Sequence, residues 1–266
     1  MKIAHECPLS ISKKMQEFTE YEFVTGHMLQ HSGYLSYIIE CKESGRQLML
    51  FPGNLSDADY VEFINLLEPQ EYVVPYVVGD YEATVKRFNT FTTEYNNIHS
   101  NIVAVPQGKS YLKYIRCYKD FANRSNVSKI AMSNDIPYYL QSNLESNELN
   151  DNDRMMMERI DTIANMISND LIDFEKPHHL LNCHLPQELG KYNLKALKRS
   201  QIDIHWIESI NASAPIFHAI NRIEYDSVNG YTSADVIQDI EVLINETPDW
   251  KIVQHNITVF RDFAPT

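Results

Sequence analysis

Hydrophobic positions along the chain alternate between short β-rich runs and segments of helical period. The runs are "YLSYII" (34 to 39), "QLMLF" (47 to 51), "EYVVPYVV" (71 to 78), "NIVAVPQ" (101 to 107), "KIAMS" (129 to 133), "HHLLNC" (178 to 183) and "IDIHWIES" (202 to 209), with a weaker early one in "YEFVTG". Between them, Tyr111, Tyr114, Ile115, Tyr118, Phe121 and Ala122 recur at i, i+3, i+4 and i+7, as do Met156, Ile160, Ile163, Ile167 and Leu171. That spacing puts one apolar stripe on one side of a helix. Strand followed by helix, repeated along the chain, predicts parallel βαβ units. A count near eight favours a closed (β/α)8 TIM-type barrel of the α/β class over an open doubly wound sheet.

One stretch breaks the rhythm. "YYLQSNLESNELNDNDR" (138 to 154) is rich in Asn, Ser and acids and reads as an exposed insertion loop, either a mobile segment or a lid or partner surface on the face that carries the loops after barrel strands. No repeat or linker divides the sequence, so residues 1 to 266 read as a single domain.

Composition narrows the functional classes. At 44% hydrophobic and 22% charged the chain is that of a globular protein, and its formal net charge of −13 disfavours a nucleic-acid partner. No window approaches the roughly 18 apolar residues of a membrane span, and the N-terminus has no signal-peptide pattern, so a cytosolic location is expected. Cys7, Cys41, Cys117 and Cys183 stand far apart and read as reduced thiols. Glycine, at 8 residues, is scarce, and no GxGxxG or GxxxxGK[ST] occurs, which disfavours a phosphate-cradling loop.

Three segments, in order, carry a family resemblance. "NIVAVPQGKSYLKYIRCYKDFAN" resembles the strand, Val-Gln-Gly turn and helix of the tRNA-guanine (queuine) transglycosylases. "KPHHLLNCHLPQELGKYN" is similar to their "KPRYLLGVGTPEDL" segment, and "IDIHWIESINASAPIFHAIN" falls where their nucleophile strand follows. The nearer likeness is to the phage and bacterial branch linked to 7-deazaguanine insertion into DNA, in which "EYVVPDVLGDYEAT", an "LDNGAFE"-like turn and an "IDTSNP"-like turn are typical. The likeness spans roughly residues 34 to 221.

The resemblance implies base exchange at a glycosidic carbon, which needs one carboxylate as nucleophile and a second to handle the proton on the base. The sequence departs at each expected acid. Phe51 and Pro52 stand in "LFPGNLS" where an Asp-Asn pair is expected, Tyr76 stands for an aspartate in "VVPYVVGD", and Asn211 does so in "SINASAP". Neither an amide nor a phenol titrating near 10 replaces a carboxylate. Gln107 and Gly108, which in the family lie beside the base, are retained.

Nearby acids offer an alternative. Glu208, Asp203 and Asp80, with Asp135 behind them, are candidates for recruitment, against plainer roles for Asp80 as a helix cap and Glu208 as a paired or rim carboxylate. His178, His179, Cys183 and His184 invite a metal reading, but strand alternation sends 178 and 179 to opposite faces, so no metal or other cofactor is expected. Lys191, Lys195, Lys198 and Arg199 share a helical face that reads as solvated or as phosphate-binding. The 16 tyrosines suit a protein interface as well as a core.

The expectation is therefore a transglycosylase-like barrel without exchange chemistry, phage-encoded, serving as a binding or structural protein in the virion, in assembly or on a host protein. The alternatives are an active transglycosylase acting on DNA or tRNA with guanine or 7-deazaguanine, and a base sensor that retains Gln107.

Overall fold

The computed structural model describes residues 1–136, 151–183, 185–192, 206–230 and 246–264, with residues 151–153 and 191–192 as backbone only. Eight strands form one sheet: β1 (Lys2–Ala4), β2 (Glu22–Thr25), β3 (Leu48–Phe51), β4 (Glu71–Val73), β5 (Asn101–Ala104), β6 (Val127–Met132), β7 (His178–Leu180) and β8 (Ile207–Asn211). Every pairing is parallel, in the order β1-β8-β7-β6-β5-β4-β3-β2. The seam between β1 and β2 is bridged by Glu20, whose N–H donates to the Ile3 carbonyl at 3.1 Å while its Oε2 accepts from the Ile3 N–H at 2.9 Å. The sheet is thus a nearly closed TIM-type barrel.

Alternation along each strand separates two apolar shells. Ala4, Phe23, Met49, Val73, Val103, Ala131 and Leu181 turn inward and pack on one another. Their strand neighbours Ile3, Val24, Leu50, Tyr72, Ile130 and Leu180 turn outward to the helices. Those helices include α2 (Ser32–Glu43), α3 (Asp57–Leu67), α4 (Tyr81–Glu94), α5 (Tyr111–Ala122), α6 (Asp151–Ser168), α7 (Pro186–Tyr192) and α8 (Ala214–Ile220), after a short α1 (Ser12–Met15) and before α9 (Trp250–Asp262).

Two elements differ from the sequence reading. The run "YLSYII" is helix, not strand: its buried Tyr37, Ile38 and Cys41, with Tyr34 packed against the core, recur at i, i+3, i+4 and i+7, so helical periodicity prevails over β-type composition. The strand it displaced from the count is β1, three residues whose inward and outward neighbours are both buried and so show no alternation. The periodic segment read as running to Leu171 ends at Ser168, and Asp170 takes a left-handed φ of 54°. Of the polar insertion, residues 138–150 lie outside the described residues, and 151–154 form the first turn of α6. Among the described residues no helix is long and apolar enough to cross a membrane.

A buried ion pair ties α6 and α7 to the strand ends. Arg159 and Glu188 are both fully buried, and the guanidinium meets the carboxylate through two bonds of 2.6 and 2.7 Å. The same guanidinium donates to the carbonyls of Met132 (3.1 Å), Leu181 and Asn182, at the C-terminal ends of β6 and β7. Removing one member of such a pair strands a charge in the interior, so Glu188→Ala is expected to lose about 3–5 kcal/mol in urea unfolding at neutral pH. Replacing both residues by leucine is not expected to recover it, because the carbonyls of Leu181 and Asn182 lose the guanidinium as donor, while that of Met132 keeps the Leu181 N–H. Full recovery in the double variant would mean that the clamp on the strand ends contributes nothing.

Candidate functional site

Side chains two residues apart on each strand line the barrel axis, and the C-terminal mouth is built from the last inward positions of the strands and from residues in the turns that follow them. These are Glu6 after β1, Thr25 on β2, Phe51 on β3, Tyr76 after β4, and Asn211 on β8. The residues that the family resemblance assigns to missing acids, Phe51, Tyr76 and Asn211, thus come together from three separate stretches.

One side of the mouth is aromatic. Phe23 stacks on His179 with ring centroids 5.8 Å apart and planes inclined by 5°. Phe51 meets Phe23 at 5.7 Å and Tyr76 at 6.4 Å, continuing the arc around the wall. Beside it opens a cleft of about 340 Å³, lined by Thr25, His27, Phe51, Pro52, Tyr76 and Arg87 among others. Burial, with the Asp135 carboxylate second, pushes the Tyr76 phenol above its ordinary value, while Ser133 as a hydrogen-bond partner works against it.

The other side is a polar network centred on Asn211, which has no exposed surface. Its Nδ2 donates to Glu6 Oε2 (2.9 Å) and to Asn182 Oδ1 (3.1 Å). Its Oδ1 accepts from the Asn182 N–H (3.0 Å) and pairs with His179 Nε2 (3.1 Å). A side-chain amide has two donors and two acceptor positions, so Asn211 is saturated. The backbone N–H of Asn182 can only donate, which fixes the Asn211 oxygen and leaves His179 to carry its proton on Nε2. His179 Nδ1 then accepts from Ser209 Oγ at 2.9 Å. Burial first, and Lys129 second, depress this imidazole to about 3, so it is neutral.

Glu6 is half-buried and holds two neutral donors: Asn211 on Oε2, and the Thr25 hydroxyl on Oε1 at 2.8 Å. Burial raises its carboxyl above the ordinary value of 4.5, with the Thr25 and Asn211 bonds opposing. The sequence reading passed over Glu6 because it passed over β1. The signal was Lys2-Ile3-Ala4-His5-Glu6, whose even-numbered members share the inward face.

The acids proposed for recruitment lie elsewhere. Glu208 sits at the opposite, N-terminal end of the barrel, 3.4 Å from Lys129 and 3.9 Å from Lys2, beside a cleft of about 230 Å³. It is the paired rim carboxylate of the plainer reading, and the strand direction sets it apart from Asn211. Asp80 caps α4, accepting from the Ala83 N–H at 3.0 Å, with Lys109 at 3.4 Å; both contacts hold its carboxyl below the ordinary range, the cap foremost. Asp135 is exposed at the end of β6 near Tyr76, and Asp203 lies outside the described residues.

Gln107 is fully buried, and its Oε1 accepts from the Gly79 N–H at 2.9 Å, so it joins the turn after β5 to the turn after β4. Gly108 is required by packing, since a Cβ there would stand 2.3 Å from the backbone nitrogen of Tyr114. His178 and His179 do point to opposite sides: His178 stacks against Tyr118 outside the barrel, with Nε2 2.9 Å from the phenol oxygen, and the two cannot share an ion. Cys183 faces Arg159. His184, Lys195, Lys198, Arg199 and the side chain of Lys191 lie outside the described residues.

Neither protein-family models nor curated proteins give a match to this chain.

A carboxyl whose value is raised by folding binds its proton more tightly in the native state, so stability is fully present below 4.5 and falls as pH rises through the folded value. Glu6→Gln, which keeps an acceptor and adds a donor, is expected to melt higher than the parent near pH 8 and identically below about pH 4. Thermal melts across that range check the difference; a variant less stable at both ends would show that the ionised carboxylate is a net stabiliser.

Proposed function

We propose that this protein is a binding barrel: a scaffold of the tRNA-guanine transglycosylase kind, from its phage and bacterial 7-deazaguanine branch, that no longer exchanges bases. Its C-terminal face holds a protein partner, in a virion, during phage assembly or on a host target in the cytosol.

The observation that carries this reading is the saturated amide of Asn211. At the position the resemblance assigns to the nucleophile stands a group with no lone pair or proton left for a substrate, wrapped by Glu6, Asn182 and His179. Base exchange needs two carboxylates with separate duties. Phe51 and Tyr76 fill the other expected places with aromatic surface, which suits contact. The rim beyond them is also apolar, with Val77 and Val78 exposed on the turn after β4 and Leu112 exposed at the start of α5. The charge of −13 argues against a polyanionic partner.

A second reading, an active transglycosylase on DNA or tRNA, is favoured by one observation: Glu6 supplies a carboxylate at the mouth with a raised proton affinity. The two readings separate in one assay. Incubation with labelled guanine or 7-deazaguanine and either DNA or tRNA is expected to give no incorporation, and Asn211→Asp is expected to create none, because it would place a second carboxylate against Glu6. Incorporation by the parent that disappears in Glu6→Gln would replace the binding reading with the enzymatic one. Capture of a protein from infected cells, lost in Val78→Asp but not in a bottom-face variant such as Glu208→Gln, is the result expected of the binding barrel.

A further inference from the structure

Among the described residues, Glu6 stands out as an interior carboxylate with no counter-ion. Glu188 meets Arg159, Glu22 meets Arg46 at 2.6 Å, and Glu71 meets Lys129 at 2.6 Å. Each of these pairs neutralises a charge drawn out of water. Among the described residues, Glu6 is held by the hydroxyl of Thr25 and the amide of Asn211 alone. One acceptor position on each oxygen is already used, which leaves a second on each.

The polar chain through the barrel points at this carboxylate. Lys129, whose ammonium can only donate, lies 3.4 Å from Ser209 Oγ; Ser209 donates to His179, His179 to Asn211, and Asn211 to Glu6. With a pure donor at the bottom and an acceptor at the mouth, every link has a single direction. The aligned dipoles therefore favour negative charge at Glu6. Thr25 connects that charge to the cleft, since it both lines the cleft and donates to Glu6. The cleft wall adds the aromatic side chains of Phe51 and Tyr76. Its own cation, Arg87, is neutralised by Asp57 at 2.6 Å, which leaves His27 and the Tyr76 phenol as its other titratable side chains.

From these observations we infer that the mouth seats a cationic nitrogen group of the partner, an arginine or lysine side chain, with its charge against Glu6 and its stem along Phe51 and Tyr76. This rests on the binding reading and names the partner's chemistry. A guanidinium or ammonium gains from the open carboxylate acceptors and, where it lies over either ring, from the attraction of an aromatic face for a cation within about 6 Å. An anion would meet Glu6 unscreened. The acidic surface as a whole steers a basic partner toward the barrel.

The test uses the full chain and titration calorimetry with methylguanidinium, butylammonium, and a short arginine peptide beside its citrulline counterpart. Expected are binding of the arginine peptide at least about tenfold tighter than methylguanidinium, a loss of about tenfold or more in Glu6→Gln, and a smaller loss in Tyr76→Leu. Melting curves establish that both variants are folded. Equal affinity of the citrulline peptide, or of Glu6→Gln, would overturn the inference, as would absence of binding. Methylguanidinium binding as tight as that of the arginine peptide would assign the site to a free small cation and overturn the side-chain assignment. The binding function itself is judged separately: partner capture that survives Glu6→Gln removes this inference and leaves the barrel a binding protein, whereas base incorporation removes both.

Discussion

A carboxylate near the dry axis of a barrel needs hydrogen-bond donors, and the need of Glu6 for donors organises the C-terminal mouth of this protein. Asn211 meets it with one amide proton and uses its other three positions to hold Asn182 and His179 in place. An aspartate at 211 would face Glu6 as a second negative charge. The amide and the acid are therefore one design: with Glu6 just after β1, the neighbouring strand β8 is best served by a neutral donor at the mouth.

The network has a mechanical support outside the axis. Asn182 adopts a left-handed φ of 54°, which a non-glycine residue keeps only when its surroundings over-determine it. The surroundings here are its own two bonds to Asn211 and the Arg159 guanidinium, which grips the Leu181 and Asn182 carbonyls while paired to Glu188. The Arg159 guanidinium thus links α6 and α7 to the mouth. A peptide carbonyl at a parallel strand end has lost its ladder partner, and a charged donor with several N–H groups can satisfy more than one.

Polarity continues down the axis instead of ending at the mouth. Below the aromatic layer, His179, Ser209 and Lys129 lead to Glu71 and Glu208 at the N-terminal end. Met49, Val73 and Val103 fill the β3, β4 and β5 side with apolar groups, whereas Lys129, Ser209, His179 and Asn211 carry the polar file along β6, β7 and β8 before it crosses to Glu71 at the foot of β4. This asymmetry places the contact surfaces of Phe51 and Tyr76 on the β3 and β4 side of the mouth, and the charge on the β1 and β8 side.

The alternation of apolar runs and helical stripes along the chain was enough to indicate parallel βαβ units and a barrel, because both periods are set by local backbone geometry. The strand cores at 48–51, 71–73, 101–104 and 127–132 and the stripe from Tyr111 to Ala122 were legible for that reason. The absence of carboxylates at 51, 76 and 211 was legible too, since residue identity needs no coordinates. Period failed where an element was too short or too uniformly buried to show one: "YLSYII" looked like a strand and "KIA" like nothing, so Glu6 was missed. Which end of a strand a residue occupies, and what it meets there, depends on closure of the sheet across distant segments. Glu208 and Asn211 are three residues apart, yet lie toward opposite ends of the barrel, and only the paired strands revealed that Asn211 is held by a glutamate 205 positions away.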